Sequence, residues 1–288
     1  MKGTQSMHRP QKLGPRATQA AAFAALWAAA ALVLLPVAAI LGVMFVRGGR
    51  AISWEMLSSA EDGLLPAIVG TVTLVALTAV IAAPLGIAAA VYLREYAPRG
   101  PLVRLIRLAI VNLAGVPSVV YGLFGLAVFV TLLGFGRCLL AGACTLALLA
   151  LPLVITASEE ALRQVPERLR AASFALGATR WQTVRRIVLP NALPGIITGL
   201  ILSVGRAAGE TAPILFTAAF IALTKPFPSS VLDPIEALPF RLYYMATEAH
   251  GITEDAKWAT AAVLVGLVLT INLVAVITRA RLRGARRW

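Results

Sequence analysis

The sequence predicts an all-α membrane protein with about six transmembrane helices, and three observations carry that expectation. Of its 288 residues, 59% are hydrophobic and 14% charged, and the mean hydropathy is +0.83. A soluble domain carries about 25% charged residues, because its surface faces water. The apolar residues also fall into long runs, and roughly 20 such residues take a helix across the hydrocarbon layer. Basic residues, finally, are shared unevenly between the segments that separate these runs. Backbone groups in lipid have no water to bond, so each crossing has to be helical.

The runs are 20–46, 65–93, 109–133, 139–157, 194–223 and 258–277. Several exceed the minimum for a span, which predicts tilted or kinked helices. With a cytoplasmic N-terminus and one crossing per run, the inner segments hold 19 of the 26 Lys and Arg. These are Lys2, Arg9, Lys12 and Arg16; Arg94, Arg99, Arg104 and Arg107; Arg163, Arg168, Arg170, Arg180, Arg185 and Arg186; and Arg279, Arg281, Arg283, Arg286 and Arg287. The outer segments hold Arg47, Arg50, Arg137, Lys225, Arg241 and Lys257, and Arg206 is left inside a run. This is the positive-inside pattern, and it places both termini in the cytoplasm. The net charge of +13 therefore reports orientation in a lipid membrane, and no nucleic-acid partner is expected. The first run is about twice as long as the hydrophobic region of a signal peptide, and it reads as a retained anchor.

The chain divides into a cytoplasmic tail (1–19), a first transmembrane helix with its outer loop (20–63), a core of five transmembrane helices (64–280) and a basic cytoplasmic tail (281–288). Two connections are long. The inner one, 158–190, is polar, basic and permissive of helix. The outer one, 224–257, carries Pro226, Pro228, Pro234 and Pro239 and predicts short helices or turns. Cys138 and Cys144 form no metal or redox motif and read as ordinary apolar residues, while His8 and His250 read as solvated. None of the four lysines is followed by Ser or Thr, so the phosphate-cradling P-loop is missing. No metal cluster or nucleophile elbow is present either. The chain is expected to be neither an enzyme nor a holder of cofactors, and ATP-driven work would need an ATPase in another chain.

The inner connection reads Ala171-Ala172-Ser173-Phe174-Ala175-Leu176-Gly177-Ala178, then Thr179-Arg180-Trp181-Gln182, then Arg185-Arg186-Ile187-Val188-Leu189-Pro190. Its alanines favour helix. Gly177 can adopt the left-handed conformation that ends one helix and re-aims the chain. Trp181, Val184, Ile187 and Val188 recur at helical spacing and predict an apolar docking face, with Pro190 as a stop. This stretch resembles the EAA loop of ABC-importer permeases, in which E-A-A and a glycine precede I-x-L-P by a set interval. Nine residues separate Gly177 from Ile187, as in that pattern. The acidic position is Ala171 here, and Ser173 stands for the second alanine.

The resemblance implies a MetI-like ABC importer permease fold, with the loop acting as a coupling helix in a cleft of the ATPase subunit. Ala171, Ala172, Gly177, Ile187, Leu189 and Pro190 would carry that coupling. A second pair of segments narrows the family. Arg206-Ala207-Ala208-Gly209-Glu210-Thr211-Ala212-Pro213 and Val116-Pro117-Ser118-Val119-Val120-Tyr121-Gly122-Leu123-Phe124-Gly125 resemble phosphate-specific permeases. The outer Ala237-Leu238-Pro239-Phe240-Arg241-Leu242-Tyr243-Tyr244 is similar to their A-type subunit. The likeness runs from about residue 64 to 279. It implies the channel-forming subunit of a phosphate importer in a bacterial inner membrane. The implied partners are a homologous C-type permease, an ATPase dimer that binds ATP and Mg, and an external phosphate-binding protein. Permeases for sulfate, molybdate or amino acids share the architecture. An ion-coupled secondary carrier would show inverted repeats, and none is visible.

Arg206 and Glu210 are the residues that the membrane makes expensive. A charge at the bilayer centre costs about 2.5–3.5 kcal/mol on insertion scales. On a continuous helix, Gly195, Gly199, Arg206, Gly209, Glu210 and Pro213 would share one face, lined by small residues that let helices approach. Three readings of Arg206 stay open: passage of an anion through its donor fork, an internal ion pair with Glu210, or an interfacial position. Thr211 and Ser203 are weaker pathway candidates, because hydroxyls in membrane helices often bond their own backbone.

The charge asymmetry is directly testable. Cysteines introduced near Gln182 and near Ser230 should label from opposite sides of the membrane, with Ser230 outside. Labelling of both from one side would contradict the six-span topology.

Overall fold

In a computed structural model the chain is described over residues 15–60, 63–98, 100–221, 227–249 and 251–284. Lys2, His8, Arg9, Lys12, Arg99, Lys225, Pro226, His250, Arg286 and Arg287 lie outside the described residues, as do parts of both expected tails. The described elements are helical, apart from one parallel bridge between Ala219 and Ile235. Five helical stretches are long and apolar enough to cross a membrane: Thr18–Ala51, Leu65–Tyr96, Leu139–Arg163, Arg180–Ala207 and Glu254–Ile277. A sixth crossing is available if one bent pair is counted as a single span.

Helix α1 (Pro15–Ala51) runs through Pro36, and α2 (Trp54–Ser58) is a short helix after it. Ser53 caps α2 by accepting from the Met56 amide at 3.1 Å, which satisfies a helix-end donor. Helix α3 (Leu65–Val91) continues into a π-helical turn, Tyr92–Tyr96. Helices α4 (Pro101–Leu113) and α5 (Ser118–Gly125) follow, and α5 extends as a π-helical segment, Leu126–Leu132.

The run 109–133 does not form one helix but the second arm and part of the first of a sharply bent pair, a break far larger than a tilt or kink. The axes of Pro101–Leu113 and Ser118–Leu132 meet at 101°. Pro117 explains the break: it has no N–H to continue α4, and its ring pushes Val116 out of the helical region. The chain turns through Gly115 N–H to Asn112 O (3.0 Å) and Val116 N–H to Leu113 O (3.1 Å).

Helix α6 (Leu139–Arg163) is the most buried of the spans. Beyond it come α7 (Glu167–Ala175), the single turn α8 (Arg180–Thr183), a π-helical turn Val184–Val188, and α9 (Leu189–Ala207). Pro190 does not stop this helix, contrary to the expectation from sequence. It occupies the first turn of α9 directly after the π turn, where a wider ring of bonds absorbs the missing donor. The fifth span also ends at Ala207, well short of residue 223. A separate helix, α10 (Ala212–Thr217), follows. The Pro-rich outer connection contains α11 (Leu238–Thr247), and α12 (Glu254–Gly284) packs along α1.

Close approach holds the centre together. A Cβ added to Gly195 or Gly199 of α9 would overlap the methyl groups of Ala161 or Ala157 of α6. One on Gly86 of α3 would overlap Val154 of α6. Small residues bring backbones near enough for dispersion to act over the whole length of the pair. One apolar cluster, containing Ala90, Leu93, Leu162, Val188 and Ile196, closes the end that carries the α7–α8 loop. Another, with Leu74, Leu146, Ile214, Ala218 and Ile235, closes the opposite end.

Candidate functional site: an arginine at a broken span and a clamped loop

Arg206 sits in the last turn of α9, and its Nε lies 3.3 Å from Oε1 of Glu210. The expected continuous face of Arg206, Gly209, Glu210 and Pro213 does not exist, because the helix has ended. Instead Gly209 N–H donates to Arg206 O (3.1 Å) and Glu210 N–H to Ala207 O (3.3 Å). These three-residue turns are tighter than an α-turn and bring the carboxylate back under the guanidinium. The Arg206 side chain is 51% exposed and that of Glu210 16%. Glu210 thus anchors a cation whose remaining surface is open. Thr211 is half-buried at the start of α10, where its carbonyl accepts from Leu215 N–H at 3.0 Å. Ser203 is buried and spends its hydroxyl on Gly199 O at 2.8 Å.

Opposite Arg206 stands the α4–α5 bend. Tyr121 donates its hydroxyl to Leu113 O at 2.9 Å, bridging the two arms of the bend. Gly122 packs so tightly on α10 that an added Cβ would press on Phe216, Ala212 O and Pro213. The segment from Val116 to Gly125 and the segment from Arg206 to Pro213, far apart in sequence, are therefore walls of one place. A cavity of about 420 Å³ lies beneath the bend, lined by Ile110, Val120, Leu151 and Ile155 among others, with Tyr121 as its hydroxyl. Its lining is apolar and does not suit an anion. Tyr121 belongs to one of the two motifs, but nothing in the sequence marks it as a site residue. Only the fold puts it by Arg206.

Next to this site the outer connection seals the top of α6. Cys138, Leu139 and Leu140 donate their N–H groups to Thr217 O (3.0 Å), Asp233 O (2.9 Å) and Val231 O (2.8 Å). Cys138 is itself buried and receives Ala141 N–H on its sulfur, and both cysteines are free thiols. Glu236 pairs with Arg241 at 2.7 Å. Burial pushes its carboxyl up from the usual range, with Arg241 opposing that shift.

The α7–α8 loop forms the second half of the candidate machinery. Gly177 has φ +79°, and it closes α7 with Gly177 N–H to Phe174 O (2.9 Å) and Ala178 N–H to Ser173 O (3.2 Å). That is a Schellman motif, which places its glycine in the left-handed region. Thr179 and Gln182 then cap α8 reciprocally. Ala171, Ala172 and Gly177 are exposed, together with Phe174, Trp181 and Leu176, the last at 89%. The predicted single face of Trp181, Val184, Ile187 and Val188 is split: Val184 and Val188 enter the core, Ile187 is half-buried, and Trp181 faces out. Leu189 and Pro190 are half-buried and root the loop in the bundle. The six residues expected to couple thus divide into an exposed set and a rooted set. Among the described residues no group of His, Cys, Asp or Glu is arranged to hold a metal.

Residues 82–287 match the family described as "Binding-protein-dependent transport system inner membrane component". The chain belongs to that family. It is a multi-pass inner-membrane permease subunit, a component of transport, and membership implies an ATPase and a substrate-binding protein as partners. The permease is 36% identical over 285 residues to "Phosphate transport system permease protein PstA 1" of Mycobacterium tuberculosis, covering 94% of this chain and 91% of that one. It is 33% identical over 265 residues to the "Probable ABC transporter permease protein YqgI" of Bacillus subtilis, covering 85% and 90%. Among solved structures, the inward-facing MetNI methionine ABC transporter matches with a TM-score of 0.63 at 19% identity, over 82% of this chain and all of that one. That likeness establishes the MetI-like fold.

Gly177 offers a clean test of the loop, since nothing lies near the position of an added Cβ. Any penalty is conformational, about 1–3 kcal/mol for a side chain forced into the left-handed region. Gly177→Val should sharply reduce ATP-driven uptake by the assembled complex, and Gly177→Asn, which tolerates that region, should retain much more. Equal activity in the two variants would show that the turn does not matter.

Proposed function

We propose that this permease is the A-type, channel-forming subunit of an ATP-driven phosphate importer. The observation that carries the reading is the half-exposed Arg206, tethered by a part-buried Glu210 against the α5 wall. Likeness to phosphate permeases over nearly the whole chain supports phosphate as the substrate. The subunit pairs with a homologous C-type permease, two copies of an ATPase that hold ATP and Mg, and an external phosphate-binding protein.

The chemistry fits an oxyanion. A guanidinium presents a planar fork of donors matched to phosphate oxygens, and it stays charged at every physiological pH. Glu210 occupies Nε, which orients the group and places a negative charge beside any bound anion. That repulsion keeps the hold weak, as conduction requires: the site must attract enough to admit the ion and still release it. Thr211 stands beside Glu210 at the start of α10, where its hydroxyl can serve the same anion. On the other side, the exposed apolar surface of Phe174, Leu176 and Trp181 with Ala171 and Ala172 meets the ATPase. Ile187, Leu189 and Pro190 carry its displacement into α9, at whose far end Arg206 lies.

A pore role and a purely structural pair diverge in the double variant. Arg206→Gln should lower labelled-phosphate uptake roughly 10–100-fold, the loss of a charged hydrogen bond of about 1.5–3 kcal/mol. Arg206→Gln combined with Glu210→Gln should stay inactive, because the anion still lacks its cation. Arg206→Lys should keep part of the activity. Near-normal uptake by the double variant, at matched membrane abundance, would reduce Arg206 to a balancing charge.

A further inference from the structure

Three consecutive residues in the π-helical turn that ends α3 each hold a different part of the α7–α8 loop. Arg94 Nη2 lies 3.3 Å from Glu167 Oε1 in the first turn of α7. Glu95 Oε1 accepts from Arg170 Nη2 at 2.8 Å. The ring of Tyr96 lies under Arg180 of α8, 5.7 Å from guanidinium to centroid. The middle contact is the buried one: Arg170 is 7% exposed and Glu95 11%. Arg170 also donates to Val165 O (2.6 Å) and Leu162 O (2.9 Å), the carbonyls at the end of α6. One guanidinium therefore joins α3, α6 and α7.

The placement matters because the contacts straddle Gly177. Glu167 and Arg170 precede that turn and Arg180 follows it, so both limbs of the loop are fixed to one turn of α3. The exposed residues between them, Phe174 and Leu176, are left clear. A force on that surface has a defined exit into α3. At its opposite end α3 receives the outer connection: Leu238 N–H donates to Thr71 Oγ1 at 2.9 Å, and Gly70 packs against Glu236 O. π turns interrupt a helix at a cost and occur often at functional positions. The turn closes here through Ala97 N–H to Tyr92 O at 2.8 Å.

We infer that Glu95 is a positioning residue for coupling: through Arg170 it transmits displacement of the α7–α8 loop into α3 and α6. A pair that merely stabilised the fold would be weak evidence for anything, since buried ion pairs contribute little net stability. A transmitting pair has a different signature. Its loss separates ATP hydrolysis from transport without changing either the anion site or the ATPase.

The inference rests on the reading of this chain as an ATP-driven phosphate permease, so the test begins with that reading. The complete complex, with both permeases, the ATPase and the binding protein, is reconstituted in vesicles. ATP hydrolysis and labelled-phosphate uptake are measured on the same sample. ATP-dependent phosphate uptake by the unaltered complex upholds the underlying reading, and its absence overturns that reading. Glu95→Gln should lower phosphate moved per ATP at least about tenfold while hydrolysis continues, and Glu95→Asp should restore a large share. Should Glu95→Gln fail to assemble, Tyr96→Leu, which removes only the ring contact with Arg180, should still lower the ratio about threefold. Glu254→Gln removes an exposed pair with Lys257 at 2.8 Å and should leave the ratio unchanged. A normal ratio of phosphate to ATP in assembled Glu95→Gln, or in Tyr96→Leu where the first variant does not assemble, would overturn the positioning role.

Discussion

The close approach of α6 to α3 and α9 is the constraint on which both ends of the molecule depend. Lipid tails are as apolar as leucine, so no hydrophobic drive pulls membrane helices together. What remains is dispersion and hydrogen bonding, and these need short distances. The chain meets that need by placing glycine against alanine or valine at Gly86, Gly195 and Gly199. With larger residues the helices would separate, and with them the residues that each carries at its ends.

Seen from α6, the two functional regions are its two termini. A carbonyl of α10 takes the N–H of Cys138 and carbonyls of the outer connection take those of Leu139 and Leu140, while Arg170 takes Leu162 O and Val165 O at the other end. Helix ends leave donors and acceptors without partners, and in a membrane protein these have to be met by the fold. Here each end is met by a segment that also serves a functional region. The outer connection packs with α10 beside Arg206, and Arg170 belongs to the α7–α8 loop. Satisfying the backbone and connecting the two sides are the same structural act.

Much of this was legible in the sequence, and the failures have physical causes. The spans followed from hydropathy, and the Gly177 turn from a glycine between helix formers. The spacing of Arg206 and Glu210 left an ion pair as one of three open readings, and the pair forms, but not on the continuous helix that was assumed. Gly209 and Pro213 are signals that end a helix, and a short-range turn holds the pair where a continuous helix was expected. Pro117 broke a run that hydropathy alone read as one crossing, and by far more than a kink. Pro190, by contrast, was given too much weight, because a π turn can accommodate it. The link between Glu95 and Arg170 spans 75 residues and has no local signature. Neither helix reveals it until the fold brings them together.

If α3, α6 and the α7–α8 loop form one frame, the loop and the outer connection should move together through the transport cycle. The most direct measurement is a spin-label distance between Arg168→Cys on α7 and Leu232→Cys in the outer connection, with Cys138 and Cys144 replaced. It would be made in the complete complex, both nucleotide-free and trapped with ATP. A single frame gives the same distance distribution in both states. A clear shift between them would show that the loop slides against the bundle and would contradict the frame.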